Sequence, residues 1–92
     1  MRQYVVYILA SRTRRLYIGI TSNLHQRIEW HRLRRHGFTA KYNITRLVYC
    51  EYYQEVRYAI AREKQLKGWT RKRKLTLVSA LNPTWDDFLS PS

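Results

Sequence analysis

An unbroken run of apolar, aromatic and β-branched residues, Tyr4-Val5-Val6-Tyr7-Ile8-Leu9, predicts a strand covered on both faces. The polar stretch Ser11-Arg12-Thr13-Arg14-Arg15 reads as a loop, and Leu16-Tyr17-Ile18-Gly19-Ile20 as a second strand. So short a connection makes an antiparallel hairpin the natural pairing. Side chains alternate along a strand, so Tyr17 and Gly19 share one face and Leu16, Ile18 and Ile20 the other. Pairing Leu9 with Arg15 or with Tyr17 brings Tyr7 and Tyr17 to the same face, whereas a one-residue slip separates them. Gly19 is expected to leave bare backbone beside Tyr17, room for a bulky ligand.

Thr21-Ser22-Asn23 offers N-cap candidates for a helix from Leu24 to about Arg35, with Leu24 and Ile28 on its buried stripe. Arg27 and His31, one turn apart, stack beside that stripe. Gly37 to Asn43 reads as a loop, and Arg46 to Tyr53 as a third strand. A second helix is expected from Glu55 to Lys67, stopped by Gly68, with Val56, Ala59, Ile60 and Leu66 inward. Thr70 can cap a third helix, Arg71 to Leu81, facing Leu75, Val78 and Leu81 to the core. Asn82-Pro83 ends it, and Trp85 and Phe88 are expected to fold back onto the body. The first turn of that helix, Arg71-Lys72-Arg73-Lys74, sets cations against the helix dipole, which a nearby anion would relieve.

Composition adds the partner. Ninety-two residues suit one domain with a modest core. Eighteen Lys and Arg against six Asp and Glu give a formal charge of +12. Such a surplus opposes compaction and suits a polyanion, nucleic acid first. The single cysteine, Cys50, excludes an internal disulfide and a Cys-rich zinc site, and its apolar neighbours suggest a buried, inert thiol. The apolar stretch Tyr4–Ala10 is far too short to span a bilayer, so no membrane partner and a cytoplasmic location are expected.

Glu63 is the anomaly: a carboxylate inside the apolar stripe of its helix is costly unless paired, protonated or metal-bound. A salt bridge to one of the many arginines is the plain reading. The functional one is a ligand for a hard divalent cation, and a single carboxylate implies a single ion. Arg27 and His31 can be a solvated basic face. Equally, an arginine fork can hold a scissile phosphate, and His31 can contact it or move a proton near neutral pH. His25 and His36 have no partner at metal-ligand spacing and read as surface residues. Tyr7 and Tyr17 can be core aromatics, or phenols made acidic by a nearby cation.

Val5-Val6-Tyr7, then Tyr17-Ile18-Gly19, Arg27, His31 and Glu63, in that order and spacing, resemble the GIY-YIG nuclease superfamily. Lys41-Tyr42, Arg62-Glu63, Lys67-Gly68-Trp69 and Asn82-Pro83-Thr84-Trp85 echo its small stand-alone bacterial members, which are similar to the N-terminal nuclease domain of UvrC-type excision enzymes. The first motif reads Val5-Val6-Tyr7 rather than Gly-Ile-Tyr, and the downstream asparagine of some homing enzymes has no clear counterpart. The resemblance implies an α+β fold, a three-stranded antiparallel sheet flanked by helices in the order β-β-α-β-α-α, with residues 1–92 forming one endonuclease domain. It implies that Tyr7, Tyr17, Arg27, His31 and Glu63 line one cleft, with Glu63 holding one Mg²⁺ or Mn²⁺. Gly19, Lys41, Tyr42 and Arg71 to Lys74 would bind substrate, most of all DNA in repair or recombination, with Arg12, Arg14 and Arg15 joining Arg71 to Lys74 in tracking the flanking backbone, and a separate protein could supply targeting. Two alternatives use the same charge: a non-catalytic nucleic-acid-binding module that keeps the fold, and a ribosome-associated RNA-binding protein.

Overall fold

The computed structural model describes residues 3–33 and 37–89. Three strands, β1 (Tyr4–Ala10), β2 (Leu16–Thr21) and β3 (Arg46–Tyr53), form one antiparallel sheet in the order β2-β1-β3. Between β2 and β3 lie helices α1 (Leu24–Leu33) and α2 (Phe38–Lys41); α3 (Val56–Gly68) and α4 (Arg71–Leu81) follow β3. The α+β architecture is the expected one, with the short α2 standing where a loop was read. The end of the first helix expected near Arg35, and His36, lie outside the described residues.

β1 is central because its apolar run suits a strand with a neighbour on each side and helices on both faces. In the hairpin Leu9 pairs with Tyr17 and Tyr7 with Gly19, the register that puts both tyrosines on one face. That face, carrying Val5, Tyr7 and Leu9, packs against Ile28 of α1, Ile44 and Leu47. The opposite face, carrying Val6, Ile8, Ala10 and Ile18, packs against Ala59 and Leu66 of α3, Val78 of α4 and Trp85. A register shift between Ile8 and Leu9 leaves Val48 as an extra residue in β3. Val48 and Tyr49 therefore both join the α3 side, and Leu47 and Cys50 both face α1.

Helix ends show where sequence cues succeed. Asn23 Oδ1 accepts from Gln26 N (3.2 Å) to cap α1, and Thr70 Oγ1 accepts from Arg73 N (3.2 Å) to cap α4. α3 takes in Gly68, the residue expected to stop it, as its last residue and ends on extended Trp69, whose N–H donates to Leu66 O. Val56, Ile60, Leu81 and Phe88, expected inside, are exposed. On α3 the sheet-facing positions are Ala59, Arg62, Glu63 and Leu66, so the buried stripe is partly polar. Arg62 forks onto Glu51 of β3 (3.0 Å), which also accepts from the phenols of Tyr49 and Tyr53. Burial works against the Glu51 charge, but hydrogen bonds from Arg62, Tyr49 and Tyr53 outweigh it and hold the carboxyl below its usual range. Cys50 is half-buried rather than enclosed, its thiol 3.7 Å from Tyr52 Oη.

The tail is pinned. Asn82 Nδ2 donates to Val48 O and Asp86 O, both at 3.0 Å, and Phe88 N donates to Leu47 O (2.8 Å). Asp87 accepts from Arg32 of α1 (2.7 Å) and from Leu47 N (3.1 Å), while Arg32 also reaches Leu89 O.

Candidate active site

Tyr7, in the middle of β1, points to the α1 side opposite Gly19. A Cβ on Gly19 would overlap Tyr7 Oη and lie 2.5 Å from Cζ, so the glycine is the floor on which this ring lies. The space expected to admit a ligand is filled by the protein's own phenol. Tyr7 is 0% exposed, and its hydroxyl lies 2.9 Å from His31 Nε2. The asparagine-capped α1 brings His31 there, one turn after Arg27.

His31 is 3% exposed, and its Nδ1 lies 3.4 Å from Thr39 Oγ1 on α2. Burial, then the positive charge of Arg27, lower the imidazole pKa below its usual value, so the ring is neutral at pH 7. Both hydroxyls can donate or accept, so the neutral ring satisfies the two contacts in either tautomer; the one with its hydrogen on Nδ1 presents the Nε2 lone pair to the Tyr7 O–H. Tyr17 stacks edge-on against His31 (4.9 Å between centroids) and lies 6.3 Å from the Tyr7 ring; Trp30 closes on His31 at 5.1 Å. Burial raises the Tyr7 pKa well above that of a free phenol; Tyr17 adds to the rise and Arg27 opposes it. The sequence reading had a nearby cation making this phenol acidic, but desolvation wins.

The cluster is layered. Tyr7, His31 and Thr39 are buried, Tyr17 above them is half-exposed, and Arg27 and Trp30 reach solvent. Of the five residues picked from sequence as catalytic, the structure brings together Tyr7, Tyr17, Arg27 and His31. Glu63 stands apart. Its helix neighbours Ala59 and Leu66 pack on the other sheet face, and its ion-pair partner is Lys67 at 3.0 Å, one turn along α3. The Glu63 side chain is 16% exposed and that of Lys67 54%, so the pair sits at the surface and an ion could displace the lysine. α3 packs on β1 and on β2, the edge strand carrying Tyr17. Among the described residues no three His, Cys, Asp or Glu side chains converge as a metal cage. A single half-buried carboxylate does fit Mg²⁺, which keeps most of its waters and takes few protein ligands.

The residues picked for substrate binding divide. Lys41 and Tyr42 end the α1–α2 wall; Lys41 Nζ lies 5.4 Å from the Tyr42 ring centroid, and the Arg15 guanidinium stacks on that ring at 4.1 Å. Arg71 to Lys74 open α4 on the opposite face, with no acid in that first turn. Arg73 stacks on Trp69 (4.1 Å), and Arg71 and Lys74 share a cleft with Arg15 and Leu16 at the start of β2. His25 is exposed, as expected. Thr39 and Trp30 were missed. Thr39 lay in a stretch read as loop and carried no signal. Trp30 did carry one, since Arg27, Trp30 and His31 stand at i, i+3 and i+4 on a single helix face.

Comparison with known proteins places the chain by sequence and by fold. Residues 3–76 match the model of the GIY-YIG catalytic domain. The chain is 42% identical over 79 residues to a UPF0213 protein of Clostridium perfringens, covering 82% of each. It is 35% identical over 82 residues to one of Staphylococcus haemolyticus, covering 85% of this chain and 96% of the relative. The solution NMR structure of a UPF0213 protein from Bacillus halodurans superposes with a TM-score of 0.61 at 25% identity, over 98% of this chain and 99% of the other. No helix among the described residues is long and apolar enough to cross a membrane.

Proposed function

This chain belongs to the GIY-YIG family, and we propose that it is a metal-dependent endonuclease that hydrolyses DNA phosphodiester bonds. The observation that carries this reading is the buried hydrogen bond from Tyr7 to a neutral His31, overlaid by Tyr17 and Arg27. A hydroxyl and an imidazole are costly to bury for packing alone. Arranged beneath an exposed guanidinium, they form a proton acceptor beside an anion site.

Arg27 and Tyr17 meet the substrate: of the cluster members not fully buried, which include Trp30, these two carry a guanidinium and a hydroxyl for it. The Arg27 fork holds two phosphate oxygens as charge grows on them. The Tyr17 hydroxyl orients the attacking water. As that water bonds to phosphorus and the P–O bond to the leaving oxygen breaks, its proton passes to Tyr17, the Tyr17 proton to Tyr7, and the Tyr7 proton to His31 Nε2, leaving imidazolium and two neutral phenols. The leaving oxygen takes a proton from solvent, and the imidazolium returns one to solvent. His31 suits this because it starts neutral. Thr39 holds the acceptor nitrogen toward Tyr7. Glu63 would hold the metal; when bound, the ion supplies charge to the phosphate and the leaving oxygen. The basic turn Arg71 to Lys74, with Arg12, Arg14 and Arg15, would follow the flanking backbone, and Lys41 and Tyr42 would bind substrate beside the cleft.

One observation favours a non-catalytic module instead: Glu63 pairs with Lys67 rather than with the aromatic cluster. The deciding experiment incubates purified protein with plasmid, single-stranded, branched and RNA substrates, in Mg²⁺ or chelator, beside Glu63→Gln. Nicking that needs metal and drops ~10²–10³-fold in Glu63→Gln, with binding intact, is the expected result. Equal cutting by wild type and variant ends the nuclease reading.

A further inference from the structure

We propose that the closed end of the β1–β2 hairpin holds a discrete site for one phosphate group, independent of the Tyr7–His31 cluster. A cavity of about 110 Å³ opens there, lined by Ser11, Arg12, Arg14, Arg46, Thr84 and Trp85. A space of that size has room for one tetrahedral oxyanion.

Three arginines line that opening, and among the described residues none of them forms an ion pair with a carboxylate. Like charges gathered around so small a space repel one another, and an anion between them removes that cost. Guanidinium forks match phosphate oxygens in pairs, which three lysines would not do. The carboxylate fixed nearest in sequence, Asp86, accepts from Thr84 Oγ1 (2.6 Å) rather than from these arginines.

The walls are held in place. Arg14 N donates to Ser11 O (3.0 Å), and the Arg14 guanidinium lies 4.5 Å from the Trp85 ring centroid. Trp85 is itself anchored through Nε1 to Ser79 Oγ (2.9 Å). Both residues have left-handed backbones, φ 65° at Arg14 and 56° at Trp85, a conformation uncommon for side chains of this size. Such backbones persist where surroundings over-determine them, as in ligand clamps.

The site is not an extension of the reaction centre. Val48 and Trp85 belong to the α3 side of the sheet and Tyr7 to the α1 side. Along β1, Ala10 at the cavity lies three residues from Tyr7, roughly 10 Å. A phosphate in the cavity is therefore a second phosphate, whether a strand terminus, an internal diester led around the hairpin end, or a free anion.

The test is a ¹⁵N NMR titration of the full chain with inorganic phosphate, ionic strength held constant with chloride. It is repeated with a thymidine dinucleotide with and without a 5′-phosphate. Saturable shifts are expected at the Trp85 indole N–H and the amides of Ser11 to Arg14, with the Gly19 amide stationary. The Arg12→Gln/Arg46→Gln double variant should bind at least about tenfold more weakly, the loss of one charged hydrogen-bonding group or more. Should that protein not fold, Arg46→Lys, which keeps the charge and loses the fork, should show the same loss. Response to the phosphorylated dinucleotide alone assigns a strand terminus, equal response to both a backbone diester, and response to inorganic phosphate alone a free anion. Shifts that never saturate, that appear equally along Arg71 to Lys74, or that survive unchanged in the variants overturn the site. None of these readouts requires cleavage, so the phosphate site and the nuclease reading can fail separately.

Discussion

Neighbouring residues of β1 lead opposite lives. Val6 and Ile8 enter a packed layer with Ala59, Leu66 and Val78, where shape and apolar area decide everything. Tyr7 between them enters a layer with Ile28, but ends in a hydroxyl that needs an imidazole, which in turn needs a threonine. The α3 side has its own polar group, Arg62 on Glu51, yet that pair lies at the rim and closes on itself with Tyr49 and Tyr53. On the α1 side the polar chain leads outward, through Tyr17 to Arg27. One face of the sheet is a closed apolar layer, and the other keeps a chain of polar groups beneath an exposed cation.

Substitutions should separate those roles. Leu66→Ala on the α3 side should lower unfolding free energy by about 2–5 kcal/mol, with cleavage per folded molecule unchanged; chemical denaturation beside a nicking assay checks it. Arg27→Ala should do the reverse, cutting the rate ~10²–10³-fold at nearly unchanged stability because the side chain is exposed. Gly19→Ala should act on both, costing about 1–3 kcal/mol of stability as the Tyr7 ring is pushed off its floor, and lowering activity with it. A Gly19→Ala protein as stable and active as wild type would remove the link between floor and phenol.

The smallest effect is pH. His31 is buried neutral and its folded pKa is depressed, so the unfolded chain binds the proton more readily. Stability from this residue is complete above the unfolded value near 6.5. It falls as pH drops from there toward the folded pKa, by at most about 1.4 kcal/mol per unit. Denaturation midpoints between pH 7.5 and 5 should show that slope, and His31→Gln should flatten it.

The sequence made the sheet legible because period-two alternation and a short hairpin loop constrain each other. Once Leu9 faces Tyr17, the tyrosines must share a face. The caps at Asn23 and Thr70 were legible for the same local reason. Helix faces were less so. Ile60 and Leu81 were placed inside by apolarity alone, but the sheet admits few positions per helix, and Arg62 took one of them through an acid on the preceding strand. Four of the site residues could be foreseen from their spacing along β1, β2 and α1. The bulge at Val48, the role of Thr39 and the true occupant of the space over Gly19 could not, because each depends on contacts between distant segments.

The family match ends at residue 76, but the chain's last described turns act as a buckle. Asp87 clasps Arg32, next door to His31, and in the same grip takes the amide of Leu47, while Asn82 fastens the bulged stretch of β3. A protein trimmed to the matched region would keep every tyrosine of the cleft and lose the strap that steadies the helix behind it. Its imidazole would then be left to wander from the phenol it serves.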